Sequence, residues 1–453
     1  MKIGFGSSKI TPSGKIAIAG NIPARYTGKV HDDIFASAMV IESKNEKTVW
    51  ISCDICHPNK RLTDEIVLAI NKIIPDFSGE RLIINATHAT AGFYLTDDEF
   101  LNAGLQIDFD KILPLYRARQ EICDGIVTAV KKALDTMCEC TMELATADIL
   151  TGFCRRVVYK GNRAVMYGFG PIEDFVRLEY PDGAASQMLY FYSKDTHTLK
   201  GIFANVPCPA QADELADYIT ADYWGVVRDK VHKELGQDVV IITTCRAAGE
   251  LSPHRIIYSA GLKKDDEWGR ETAERVGENI ADSIIKESRR PIKKYSELTY
   301  EIKTKHLDFP VRKGSEQERL EMIEYFKNTQ NFEADGNAKD AMQLMKHAHI
   351  KRLFEDSRDF YKAKVSVLKI ADVLIFTAPA ELYSEYSRKI STQFPNNPVF
   401  DVQLTDDSLG YLPTKEAVDR GGYSTDIFSC LTTAEGGEMY VEETKKMLRE
   451  IMN

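Results

Sequence analysis

The feature that most limits how this chain can fold is the parcelling of its apolar residues into short, β-rich runs that stop in polar clusters. Residues 35–42 (FASAMVIE) and 48–54 (TVWISCD) predict two strands joined by Lys44-Asn45-Glu46. Residues 81–86 (RLIINA) and 238–244 (DVVIITT) predict short buried strands, and 142–149, 156–160, 164–168, 187–193 and 201–206 a strand-rich stretch. Helical spacing marks 61–74, ending at Pro75, then 107–137 with a kink at Pro114, 221–235 and 265–288. Beyond residue 295 come a strand at 298–307, helices at 316–327 and 341–356, and a strand pair at 364–376. A helix at 381–394, a strand at 399–404 and a helix at 435–452 complete the chain. Strands alternating with helices predict the α/β class, with a large mixed β-sheet core and flanking helices. The chain reads as a single unit over 1–453, with a sub-boundary near 295.

Charge and cysteine usage exclude several classes. The longest apolar runs, such as 239–242 and 373–376, fall far short of the ~18 residues of a membrane span. The start MKIGFGSSKITP has no apolar core and no cleavage site, so no secretory signal is expected. Lys and Arg number 58 against 68 Asp and Glu, a formal charge of −10 without a basic stripe. Nucleic acid and a stable membrane anchor are therefore not expected, and a small-molecule substrate is. A homo-oligomer is compatible with this composition. Nine cysteines, an odd number, predict free thiols and a cytoplasmic location. Cys53-x-x-Cys56 lacks a second pair and reads as two small residues at a strand end.

Five segments share one pattern, a buried strand followed by polar and small residues: 85–92 (NATHATAG), 205–210 (NVPCPA), 248–253 (AGELSP), 379–381 (PAE) and 410–414 (GYLPT). In open α/β sheets such strand ends build sites. Singly each has an ordinary reading. His88 suits a hydrogen-bonded core histidine, Cys208 a small buried hydrophobe, Glu381 an acid at a helix start, and Ser252 a turn. Together they offer His, Cys, Glu and Tyr, a donor set that suits zinc.

These residues resemble the neutral, non-lysosomal ceramidases and their bacterial relatives. That family's DITP matches 8–12 (SKITP), and its Val-His-Asp matches Val30-His31-Asp32. Its Ser-x-Asp matches Ser52-Cys53-Asp54, and its ATHTHSG matches 86–92 (ATHATAG). Its GD-x-S-P matches 249–253 (GELSP), its PAE matches 379–381, and its GY segment matches 410–414, with Tyr423 as the later tyrosine. The ordered set spans residues 2–452. The resemblance implies that catalytic fold, without the family's C-terminal immunoglobulin-like domain. It implies one zinc ion per chain, held by His88, Glu381 and Tyr411, with Cys208 in place of the family's second histidine. Thr90 replaces the histidine that aids proton transfer in the family. Arg155 matches its active-site arginine.

The function expected from this set is a metal-dependent hydrolase of an amide or ester. A metal-activated water attacks the carbonyl, and Arg155, Tyr423 or Ser252 stabilises the oxyanion. Glu250, Asp54 and His31 are candidates to take the proton, and Thr90, His31 and Asp54 to contact substrate. Two alternatives are a metal-dependent sugar isomerase, epimerase or lyase, and a non-catalytic binding protein on the same fold. Asp97-Asp98-Glu99, Asp406, Asp407, Ser408, Glu250, His254 and Arg255 flank the proposed site and predict a small polar, carbohydrate-like substrate rather than a long acyl chain.

Overall fold

The apolar runs form strands because both of their faces are covered. In Phe35–Ser43, Ala36, Ala38 and Val40 enter one core while Met39 and Ile41 enter another. In Glu46–Cys53, Val49, Ile51 and Cys53 face the first core and Trp50 the second. Two-sided burial yields a continuous apolar run, with alternate side chains assigned to opposite faces. The computed structural model describes residues 1–19, 25–90, 92, 108–167, 170–255, 268–328 and 338–452, with side chains from 343 in the last segment.

The large sheet has nine strands. Its order is Val240–Cys245, Leu199–Val206, Ser186–Ser193, Cys138–Ala147, Lys2–Lys9, Phe35–Ser43, Glu46–Cys53 and Leu82–Ala86, with Lys293–Tyr295 also pairing to Cys138–Ala147. Two pairs are parallel, Leu199–Val206 with Val240–Cys245 and Glu46–Cys53 with Leu82–Ala86. A second sheet orders Tyr300–Pro310, Phe360–Ile370, Val373–Thr377 and Val399–Val402.

Four layers result. Helices Lys60–Asn71, Leu115–Asp135, Tyr223–Leu235 and Arg270–Glu287 pack on the outer face of the large sheet through residues such as Ile66, Ile126, Val227 and Ile280. Helices Ser384–Ser391 and Ala434–Met452 cover the second sheet through Tyr386, Ile390, Tyr440 and Leu448. The chain passes from the large sheet at Lys293–Tyr295 to the second at Tyr300–Pro310, and the core between the sheets is shared. Phe203 lies edge-on to Trp50 at 5.0 Å and to Phe400 at 6.1 Å. On the outer face a Cβ at Gly4 would fall 1.8 Å from the Ala133 carbonyl oxygen, and one at Gly6 2.2 Å from that of Ala129. Only glycine lets the Leu115–Asp135 helix lie this close to the first strand.

Three expectations shift. The helix predicted over 107–137 is Leu115–Asp135, because Pro114 holds an extended φ of −51° and ψ of 133° at its start. The strand pair predicted over 364–376 is Phe360–Ile370 and Val373–Thr377. The helix predicted from 381 starts at Ser384. Glu381–Leu382 is instead a short strand parallel to Tyr411–Leu412, with Glu381 N donating to Gly410 O at 2.9 Å. All nine cysteines are unpaired. Among the described residues no helix is long and apolar enough to cross a membrane.

Candidate active site

The site grows from strand ends. The parallel strands Glu46–Cys53 and Leu82–Ala86 finish side by side, Cys53 opposite Ala86. Their pairing continues past the sheet, with Thr87 N bonded to Cys53 O at 3.0 Å and Ala89 N to Ile55 O at 3.1 Å. This brings Cys56 against His88. The second sheet reaches the same place through residue 404: Ala86 N donates to Leu404 O at 3.1 Å and Leu404 N to Ala380 O at 3.2 Å. Glu381 follows, and its strand pairing sets it beside Tyr411.

The side chains form a chain of contacts. Cys56 Sγ lies 3.5 Å from His88 Nδ1, and His88 Nε2 lies 3.2 Å from Glu381 Oε2. Glu381 also bonds the Tyr411 hydroxyl. Arg155 Nη2 donates to that hydroxyl and to Gly249 O, both at 3.1 Å, and Nη1 donates to the Tyr167 hydroxyl at 2.8 Å. Arg155 Nε is buried without a partner. Tyr423 packs edge-on to Tyr411, ring centroids 5.5 Å apart, and is 36% exposed. The His88 and Glu381 side chains keep 10% and 14% of their surface.

The electrostatics follow from these contacts. Burial pushes the Cys56 thiol up, but His88 and His57 outweigh it and bring the thiol down to about 6. Burial likewise opposes charge on His88, yet Glu381 and Cys56 lift the imidazole to about 10. The Glu381 carboxyl is held below its ordinary value, since His88, Arg155 and Tyr411 overcome burial. Burial and Glu381 push the Tyr411 hydroxyl well up, so it stays a neutral donor.

Of the residues marked in the sequence, His88, Glu381, Tyr411, Arg155 and Tyr423 come together. Thr90 sits two residues along the same loop, its buried hydroxyl unpartnered. The others are engaged elsewhere. Cys208 is fully buried, its sulfur 3.6 Å from Pro209 O, and the charged groups acting on it are Cys245 and Asp222 rather than His88 or Glu381. Glu250 accepts from the backbone N and hydroxyl of Ser384 at the start of a helix. Ser252 bonds His254 Nδ1 at 2.6 Å, and His254 stacks on Trp268 at 4.3 Å. Asp54 is locked to Arg228 at 2.7 Å, and half-exposed His31 pairs with Asp32 at 3.0 Å. Asp406 is not a rim residue: it is buried, accepting from Ile84 N at 3.0 Å and pairing with Lys364 at 3.3 Å. Asp97-Asp98-Glu99 lies outside the described residues.

Sequence reasoning missed Cys56 and His57. The available signal was the parallel register of the two strands, which sets a residue three past Cys53 against one two past Ala86.

The expected zinc shell can be tested against these positions. His88, Glu381 and Tyr411 supply three of its donors, but the Cys208 sulfur does not join them. The guanidinium of Arg155, a fixed cation, is bonded to Tyr411. Among the described residues no three His, Cys, Asp or Glu side chains gather as a metal site. In this structure His88, Glu381 and Tyr411 lack Cys208 as the fourth donor of the expected shell.

No protein-family model and no curated protein matches the chain. Solved structures do. A ceramidase complexed with C2 matches over 99% of this chain and 75% of its own, with a TM-score of 0.70 and 14% identity. The neutral ceramidase from Pseudomonas aeruginosa matches over 99% and 74%, with a TM-score of 0.68 and 14% identity. At that identity the likeness is one of architecture: the chain has the mixed α/β fold of the neutral ceramidases, a large mixed sheet with flanking helices.

Proposed function

We propose that the chain is an acyl hydrolase that cleaves an amide or ester of a small polar substrate at the His88–Glu381–Arg155–Tyr411 cluster. The observation that carries this reading is the pairing of His88 with Glu381 at 3.2 Å beside a buried guanidinium whose Nε–H has no partner. Acyl transfer needs a group that moves a proton and donors aimed at the developing oxyanion. His88 takes the first role, held in one orientation by Glu381. Arg155 takes the second, together with the neutral Tyr411 hydroxyl. The cluster is charged and hydroxyl-lined, and a hydrocarbon chain laid against it would leave those groups without partners.

The test is a panel of N-acyl amino sugars, N-acyl amino acids and short esters, run beside a short-chain ceramide and read by mass spectrometry. Two products whose masses sum to substrate plus one water are expected. A single product of unchanged mass would make the protein an isomerase. Ceramide turnover at ~10⁴ M⁻¹s⁻¹ or above would overturn the polar substrate class.

A further inference from the structure

We infer that Cys56 is the nucleophile of this site, and that Cys56, His88 and Glu381 form a thiol–imidazole–carboxylate triad. The inference rests on the acyl-hydrolase reading for its reaction. Its geometry is independent of it. Cys56 Sγ stands 3.5 Å from one ring nitrogen of His88, and Glu381 stands 3.2 Å from the other. A nucleophile, a base and an orienting carboxylate in line are the arrangement by which thiols and hydroxyls are activated on unrelated folds. The three come from three separate strand ends, two in the large sheet and one reached from the second.

Two further observations favour the pairing. His88 has a φ of +65°. That left-handed backbone is uncommon in a residue with a side chain, and such conformations persist where the surroundings hold them. Here the hydrogen bonds of Thr87 and Ala89 to Cys53 and Ile55 hold it, and turn the imidazole toward Cys56. The contact is also specific. Among the described residues Cys56 is the cysteine whose sulfur meets a histidine nitrogen, whereas Cys208 and Cys245 lie in apolar or amide surroundings.

The Cys56 proton passes to His88, and Sγ forms a bond to the acyl carbon while the carbonyl electron pair moves to oxygen, beside Arg155 and Tyr411. The carbon–nitrogen or carbon–oxygen bond then breaks, and the leaving group departs with the proton from His88. A water, deprotonated by His88, attacks the thioester; the carbon–sulfur bond breaks, the acid leaves and the proton returns to Cys56. The net change is hydrolysis.

The experiment reads the thiol directly. The native full-length protein is treated with limiting iodoacetamide and mapped by peptide mass. Cys56 should be alkylated at least tenfold faster than Cys208 or Cys245, and the rate should fall at least tenfold in His88→Asn and in the near-isosteric Glu381→Gln. With any panel substrate that turns over, acid quenching should leave the acyl mass on the Cys56 peptide, absent in Cys56→Ser. Alkylation of Cys56 no faster than the other buried thiols, or unchanged in both variants, would overturn the triad. So would one zinc per chain that shields Cys56 until a chelator removes it. Hydrolysis by Cys56→Ser within threefold of wild type would overturn the triad and leave the acyl-hydrolase reading standing. Selective, His88-dependent alkylation with no panel turnover would support the triad and sink that reading instead.

Discussion

Two strand-end regions of the large sheet carry buried polar side chains, and they are built to opposite effect. Around 53–57 and 86–90, the Cys56 thiol and the His88 imidazole partner each other, His88 also meets the Glu381 carboxylate brought in from the second sheet, and His88 and Glu381 keep some exposed surface. Around 206–210 and 248–252, the residues that looked equally chemical are satisfied internally: Glu250 by Ser384, Ser252 by His254, and Cys208 by a backbone carbonyl. The two thiols differ accordingly. Burial, with Cys245 and Asp222 adding to it, pushes the Cys208 thiol well up, while the histidines beside Cys56 bring that thiol down to about 6. Burial sets the cost of a charge, and the neighbours decide whether it forms.

The two regions should differ most at Arg155. Arg155→Ala should lower kcat by about 10²–10³-fold, the usual cost of one oxyanion donor, while Ser252→Ala stays within threefold of wild type. Steady-state kinetics on the best panel substrate checks this, and equal losses would merge the two regions into one site.

The two glutamates give the next largest effect. Burial, only partly offset by Ser384, raises the Glu250 carboxyl from 4.5 to about 7. Its contribution to stability is therefore fully present below pH 4.5 and is lost as pH rises through 7, by of order 3 kcal/mol. Glu381, held down by His88, has the reverse sign and loses stability as pH falls. Denaturant melts from pH 4 to 8 should show Glu250→Gln gaining on wild type toward the alkaline end. A flat difference would deny the contrast.

Cys208→Ser should cost about 1–3 kcal/mol, because a hydroxyl enters the apolar core to which Cys208 belongs, and should leave kcat within threefold. A tenfold loss of activity at unchanged stability would return Cys208 to the site. The smallest effect is expected at His31, 39% exposed at the side chain: His31→Ala should stay within about 0.5 kcal/mol and leave kcat unchanged by the same assays.

What was legible in the sequence was what depends on local pattern. FASAMVIE and TVWISCD announce strands because two-sided burial writes itself as an unbroken apolar run. His88, Glu381 and Tyr411 were marked because each follows such a run. The strand at Glu381 was not legible, since its partner Tyr411 lies 30 positions on and the local residues favour a helix. Cys56 was hidden for the same kind of reason: its partner is 32 residues away and meets it through strand register. Cys208 shows the converse. Its place in the order was right, but order says nothing of where a sulfur points.

The shared ownership of the cluster by two sheets bears on how the protein is made. His88 hangs from the first sheet and Glu381 from the second, 293 residues later. At about 5–20 residues per second of synthesis, roughly 15–60 seconds separate the two. Throughout that interval the nascent chain carries thiol and imidazole without the carboxylate that orients them. The inner face of Phe203 likewise waits 197 residues for Phe400. Completion of the site and closure of the core are thus one late event, and a ribosome that stalls before residue 381 releases a chain with neither.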